Sequence, residues 1–111
     1  MPTLAYVIAG SEATGGAGLQ ADLKTFERLG VYGVGTITCI VSFDPKADWG
    51  HRFVPVDGGV IADQIEAATT AHALDVVKIG MLGTPNTVAV VADSLGKQSW
   101  RHVVVDPVLI C

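Results

Sequence analysis

Four short apolar runs punctuate the chain: LAYVIAG (4–10), GVGTITCIV (33–41), DVVKIGML (75–82) and HVVVDPVLI (102–110), all rich in valine and isoleucine. None alternates cleanly between apolar and polar positions, which predicts strands covered on both faces. Between the runs, apolar positions recur at helical spacing. Leu19, Leu23, Phe26 and Gly30 mark a first helix, with Gln20, Asp22, Lys24, Glu27 and Arg28 on its other faces and Gly30 as its stop. Ile61, Ile65 and Ala68 mark a second helix, with Asp57 as a candidate cap. Val88, Val91 and Leu95 mark a third, opened by Thr84 and Pro85 as a hydroxyl cap followed by proline in the first turn.

The order is β-α-β-α-β-α-β, so the expected class is α/β with a parallel sheet and helices packed on its faces. Ligands of such sheets bind beyond the carboxyl ends of the strands. Four segments fall there: residues 10–18, residues 42–56, GMLG (80–83) and DPVLIC (106–111). The chain has 111 residues, enough for one domain, and shows no repeat or low-complexity linker. It stops directly after an apolar strand, with no helix to cover that strand. The expectation is that residues 1–111 are the first part of a longer domain.

Composition sharpens this picture. Half of the residues are apolar and only 16% are charged, which suits strands covered on both faces or a surface that meets more protein. Net charge is −4 and the seven bases are scattered, so no basic stripe points to nucleic acid. The start MPTLAYVIAG has no basic n-region, and its apolar run is too short for a signal peptide or membrane span. Cys39 and Cys111 form no C-x-x-C pair, and reduced thiols in a cytoplasmic protein are the simplest reading.

The stretch IAGSEATGGAGLQADLKTF (8–26) carries the candidate chemistry. Gly10 and Gly15 have P-loop spacing, but Gly16 and Ala17 stand where that loop needs its lysine and hydroxyl. GAGLQA (16–21) fits the looser dinucleotide pattern, yet SEAT separates it from the strand end and an acid, Asp44, comes late. A glycine-rich turn that lets a strand and a helix pack closely is the bland alternative. Glu12 works against that alternative: an acid in a loop at the carboxyl edge of a sheet is well placed to bind a polar ligand group, with plain solvation as its own bland reading.

AGSEATGGAGLQADLKTFERLGVYG resembles the opening motif of the ribokinase-like vitamin kinases, the pyridoxal kinases and the hydroxymethylpyrimidine and phosphomethylpyrimidine kinases. VKIGMLGT and VVVDPVLIC resemble two further motifs of that family, in the same order. The resemblance implies a ribokinase-like three-layer sandwich with a mostly parallel sheet, of which residues 1–111 form the substrate-binding, N-terminal part. It implies ATP and Mg2+ as cofactors, a homodimer, and no catalytic residue in this part of the chain, because the family's G-A-G-[DC]-[TS]-F anion hole is absent. The 111 residues alone are expected to be inactive.

By resemblance, Gly10, Ala17 and Gly18 let an aromatic ring approach the backbone, and Glu12 contacts its substituents. Glu12 departs from the family's usual aspartate, and its extra methylene is expected to push the carboxylate outward. Met81 packs on the ring and Val108 lines the pocket, with ordinary core residues as the alternative for each. Asp106 lies near metal and triphosphate, or is a turn-forming aspartate before proline. Cys111 stands where the two-cysteine pyridoxal kinases begin a flexible lid, whereas Cys39 reads as a small buried strand residue. In VSFDPKADWGHRFVPVD (41–57), Phe43 takes the place of a glutamine common in the thiamine-pathway relatives. Phe43 would border a pyridine ring and His51 would reach its oxygen, although Trp49 and His51 also suit a dimer contact or a surface loop. The leading reading is a kinase of pyridoxal, pyridoxine or pyridoxamine. The alternatives are a hydroxymethylpyrimidine kinase and a non-catalytic domain binding a small heteroaromatic ligand.

Overall fold

The computed structural model describes residues 2–106 and residue 108. The chain runs β1 (Thr3–Glu12), α1 (Gly18–Arg28), β2 (Val31–Asp44), β3 (Gly50–Pro55), α2 (Gly58–Ala71), β4 (Val76–Ile79), α3 (Pro85–Leu95) and β5 (His102–Val105). The five strands form one sheet in the order β3-β2-β1-β4-β5. β1 pairs in parallel with β2 and β4, and β4 in parallel with β5, while β2 and β3 are antiparallel.

β1 is the central strand, and its period of two feeds two cores. Tyr6 and Ile8 pack with Ile61 and Ile65 of α2 and Val91 and Leu95 of α3. Val7 and Ala9 point to the other face, where Leu19 of α1 covers them with Leu23 and Phe26. Helices on both faces make three layers, as a strand without polar alternation requires. Tyr6 is fully buried, and its hydroxyl is hydrogen-bonded to that of Thr36. Burial pushes its phenol pKa up, against the lowering effect of that bond.

The element ends follow their local chemistry. Gly30 follows α1 with φ +74°. The Asp57 carboxylate accepts from the Gly59 amide at the start of α2, and the Thr84 hydroxyl accepts from the Thr87 amide at the start of α3. β1 and β2 slip register between Ala9 and Ser11, which pair with Ile37 and Ile40. Near this slip, the Gln64 side chain from α2 both donates to and accepts from the Ile37 backbone.

One element departs from expectation. The expected order has no strand between the second strand and the second helix, whereas β2 continues to Asp44 and turns back as β3. The turn carries left-handed backbone at Asp48 and Trp49 (φ +56° and +58°). All six residues of β3 are exposed, so no buried apolar stripe marks it in the sequence. The last strand covers residues 102–105 of the expected 102–110; residues 107 and 109–111 lie outside the described part. Val103, Val104 and Val105 are 51%, 56% and 59% exposed, so neither face of β5 is covered among the described residues.

Candidate functional site

At the carboxyl edge of the sheet, the end of β1, the start of α1, the β2–β3 hairpin and the turns after β4 and β5 enclose a cavity of about 280 Å³. Its lining includes Gly10, Glu12, Ala17, Gly18, Phe43, His51, Met81, Asp106 and Val108, all singled out in the sequence. Ala9, Ser11, Val41, Lys78 and Gly80 also line it. Cys111, the remaining candidate, lies outside the described residues. A wider hollow of about 790 Å³ adjoins it and shares Gly80, Met81, Asp106 and Val108.

The glycine-rich loop is organised by Glu12. Its carboxylate accepts from the Thr14 amide (2.8 Å), the Thr14 hydroxyl (2.6 Å) and the Gly16 amide (3.1 Å). The Thr14 hydroxyl, together with the Thr14, Gly16 and Ala17 amides, holds its carboxyl pKa below the usual glutamate value against opposing desolvation. This corrects the expectation that the longer side chain pushes outward. Glu12 is buried, and its carboxylate folds back onto its own loop. The Thr14 and Gly16 amides are therefore already bonded to a fixed anion.

Residues of α1 lock the loop from behind. Gln20 accepts from the Glu12 amide (2.8 Å) and donates to the Ser11 hydroxyl (2.7 Å). Lys24 donates to the Gly15 carbonyl (2.8 Å). Gly18 opens the helix at φ +65°, and a Cβ there would lie 2.4 Å from the Gly10 carbonyl oxygen. Close approach of strand and helix therefore dictates glycine at position 18. At Gly10 a Cβ would meet the Cys39 sulfur at 2.6 Å.

Across the cavity, Phe43 and His51 face each other on the hairpin, edge to face, with ring centroids 4.7 Å apart. This places His51 at the cavity, with Trp49 exposed on the turn. The Thr38 hydroxyl donates to the Met81 carbonyl (2.7 Å), fixing the turn after β4 against β2. The Asp106 amide donates to the Ile79 carbonyl (2.9 Å), which holds the strand end while the side chain stays 60% exposed.

Lys78 is the residue that sequence reading passed over. It is the one charged side chain within the apolar run of β4. Its ammonium lies 2.8 Å from Asp22 and 3.9 Å from Asp106. A cation inside a strand otherwise made of valine and isoleucine was the available signal.

No group of three or more metal-ligating side chains exists among the described residues. Asp106 offers a single exposed carboxylate. That suits a magnesium ion that takes its other ligands from phosphate and water, and not an all-protein cage.

Residues 12–111 fit the model of the phosphomethylpyrimidine kinase family. The chain belongs to that family. It is similar to a pyridoxine kinase of Bacillus subtilis, 41% identical over 107 residues, covering 96% of this chain and 40% of that protein. Among solved structures it is similar to the Bacillus subtilis pyridoxal kinase in an ADP complex, with TM-score 0.95 and 40% identity, covering 100% of this chain and 42% of that one. It is also similar to the Staphylococcus aureus pyridoxal kinase in complex with AMP-PCP and pyridoxal, with TM-score 0.90 and 37% identity, covering 100% and 40%. The α/β three-layer architecture is thus the one these kinases share. This family member spans about 40% of the length of the curated pyridoxine kinases that it resembles. No helix among its described residues is long and apolar enough to cross a membrane.

Proposed function

We propose that the chain is the acceptor-binding part of a vitamin B6 kinase that transfers the γ-phosphoryl group of ATP to the hydroxymethyl oxygen of pyridoxal, pyridoxine or pyridoxamine. The observation that carries this reading is the cavity itself. At about 280 Å³ it lies at the lower limit of small-molecule pockets, about 300–1,000 Å³, and suits one ring better than a nucleotide. Its walls are apolar at Ala9, Val41, Phe43 and Met81, with polar groups at Glu12, His51, Lys78 and Asp106. The Phe43–His51 pair gives a flat ring an aromatic border and a nitrogen within the same wall.

The nucleotide is assigned elsewhere. With the amides of the glycine-rich loop engaged by Glu12, a polyphosphate finds no cradle there. The wider hollow that shares Asp106 gives it an approach to the ring pocket, with Asp106 as one ligand of its magnesium. Magnesium supplies charge neutralisation on the phosphates, and this chain's residues orient the acceptor alcohol. The anion hole and general base are assigned to sequence beyond these 111 residues. A cytoplasmic location and a homodimer complete the proposal.

A second reading, hydroxymethylpyrimidine or phosphomethylpyrimidine kinase, is favoured by the family model that matches. Steady-state kinetics of the complete protein with pyridoxal and hydroxymethylpyrimidine side by side decides between them. A higher kcat/KM for pyridoxal is expected. A clear preference for the pyrimidine moves the protein to the second reading. Binding of the ring with no transfer from ATP leaves a binding domain.

A further inference from the structure

Lys78 sits at the middle strand of the β1–β4–β5 array, paired in register with Val7 and Val104. Strand alternation turns it toward the face that α1 covers, away from its buried neighbour Val77. An ammonium on a strand face is costly unless it is paired. Two carboxylates from two different elements meet it. Asp22 of α1 makes a close ion pair at 2.8 Å, with both side chains about one quarter exposed. Asp106, just past β5, stands at 3.9 Å, an ion-pair distance too long for a hydrogen bond.

The ammonium is also kept accessible to the cavity. Gly80 lies two residues on, on the same face. A Cβ there would lie 3.3 Å from the Lys78 nitrogen and 3.0 Å from the Ala9 Cβ. Among the described residues, Lys78 supplies the one lysine or arginine charge that lines this cavity, against the carboxylates of Glu12 and Asp106. A surface ion pair needs neither a cavity nor a second, looser carboxylate.

We propose that Lys78 is a positioning residue: anchored from α1 by Asp22, its ammonium fixes the Asp106 carboxylate at the cavity rim and offsets its charge where an anionic phosphoryl group meets the acceptor. The inference rests on the kinase reading for its role in transfer, but its geometric half does not.

The test uses the complete protein with Lys78→Met, Lys78→Arg and Asp22→Asn. Lys78→Met is expected to lower kcat about tenfold to a hundredfold, the scale of a misplaced catalytic constellation. The KM for the acceptor should stay within about threefold, and Lys78→Arg should recover most of the loss. A second readout is the side-chain carboxyl carbon resonance of Asp106, assigned by its disappearance in Asp106→Asn. It should move in Lys78→Met and stay close to wild type in Lys78→Arg. An unchanged kcat or an unmoved resonance in folded Lys78→Met overturns the proposal, as does a loss of thermal stability alone. If Lys78→Met does not fold, Asp22→Asn decides: it keeps the ammonium without its anchor, so a smaller fall in kcat is expected and no fall overturns the proposal. Wild-type protein that transfers no phosphoryl group overturns the kinase reading instead, and the resonance then decides the role of Lys78.

Discussion

Glu12 shows how one side chain sets the character of a loop. Its carboxylate closes the turn over residues 12–16 by holding the Thr14 and Gly16 amides, in the loop that leads into α1. These bonds favour the ionised form, so the folded-state pKa lies below the ordinary glutamate value of 4.5. A depressed carboxyl pKa contributes stability above the unfolded value, and that contribution is lost as pH falls through the folded value. Glu12→Gln should therefore be less stable than wild type at neutral pH, with the gap narrowing below about pH 4.5. Urea unfolding across that range checks it, and a gap independent of pH would contradict it. The sequence marked Glu12 as a polar residue at a sheet edge. It could not show that the carboxylate folds inward, because that depends on the closure of the 12–16 turn. Gly18 was legible for a similar reason in reverse: the bland reading, close strand–helix packing, is what the Gly10 carbonyl enforces.

The hairpin of β2 and β3 forms the wall opposite that loop, and one contact pins it. The ring of Phe53 lies over Gly83 in the turn after β4; a Cβ there would come within 2.5 Å of it. Gly83 also has φ +89°, which side-chain-bearing residues adopt at a cost. Gly83→Ala should destabilise the protein by about 1–3 kcal/mol through backbone strain, with added loss where the ring is displaced. Denaturant unfolding reads the first effect, and ring-proton shifts of Phe43 and His51 read the displacement of the hairpin. Unchanged stability and shifts would show that the contact does not hold this wall. The three helices and four of the strands were legible from spacing and caps, since Asp57, Thr84, Pro85 and Gly30 act locally. β3 was not. GHRFVP is an exposed edge strand, so it carries no burial pattern, and its pairing with β2 is a tertiary fact.

At the scale of the molecule, the sheet divides the chemistry. Its carboxyl edge holds a ring-sized cavity, and the open hollow next to it borders β5, whose valines are more than half exposed. An exposed apolar strand of this kind is a surface for further protein. The central claim is that the cavity takes the vitamin ring and not the nucleotide. Parallel titrations of the complete protein and its Phe43→Ala variant with pyridoxal and with ATP test it most directly. Pyridoxal binding to the variant should weaken about tenfold, the size of one lost aromatic contact of about 1.4 kcal/mol, with ATP affinity unchanged. Loss of ATP binding with pyridoxal binding intact would contradict it.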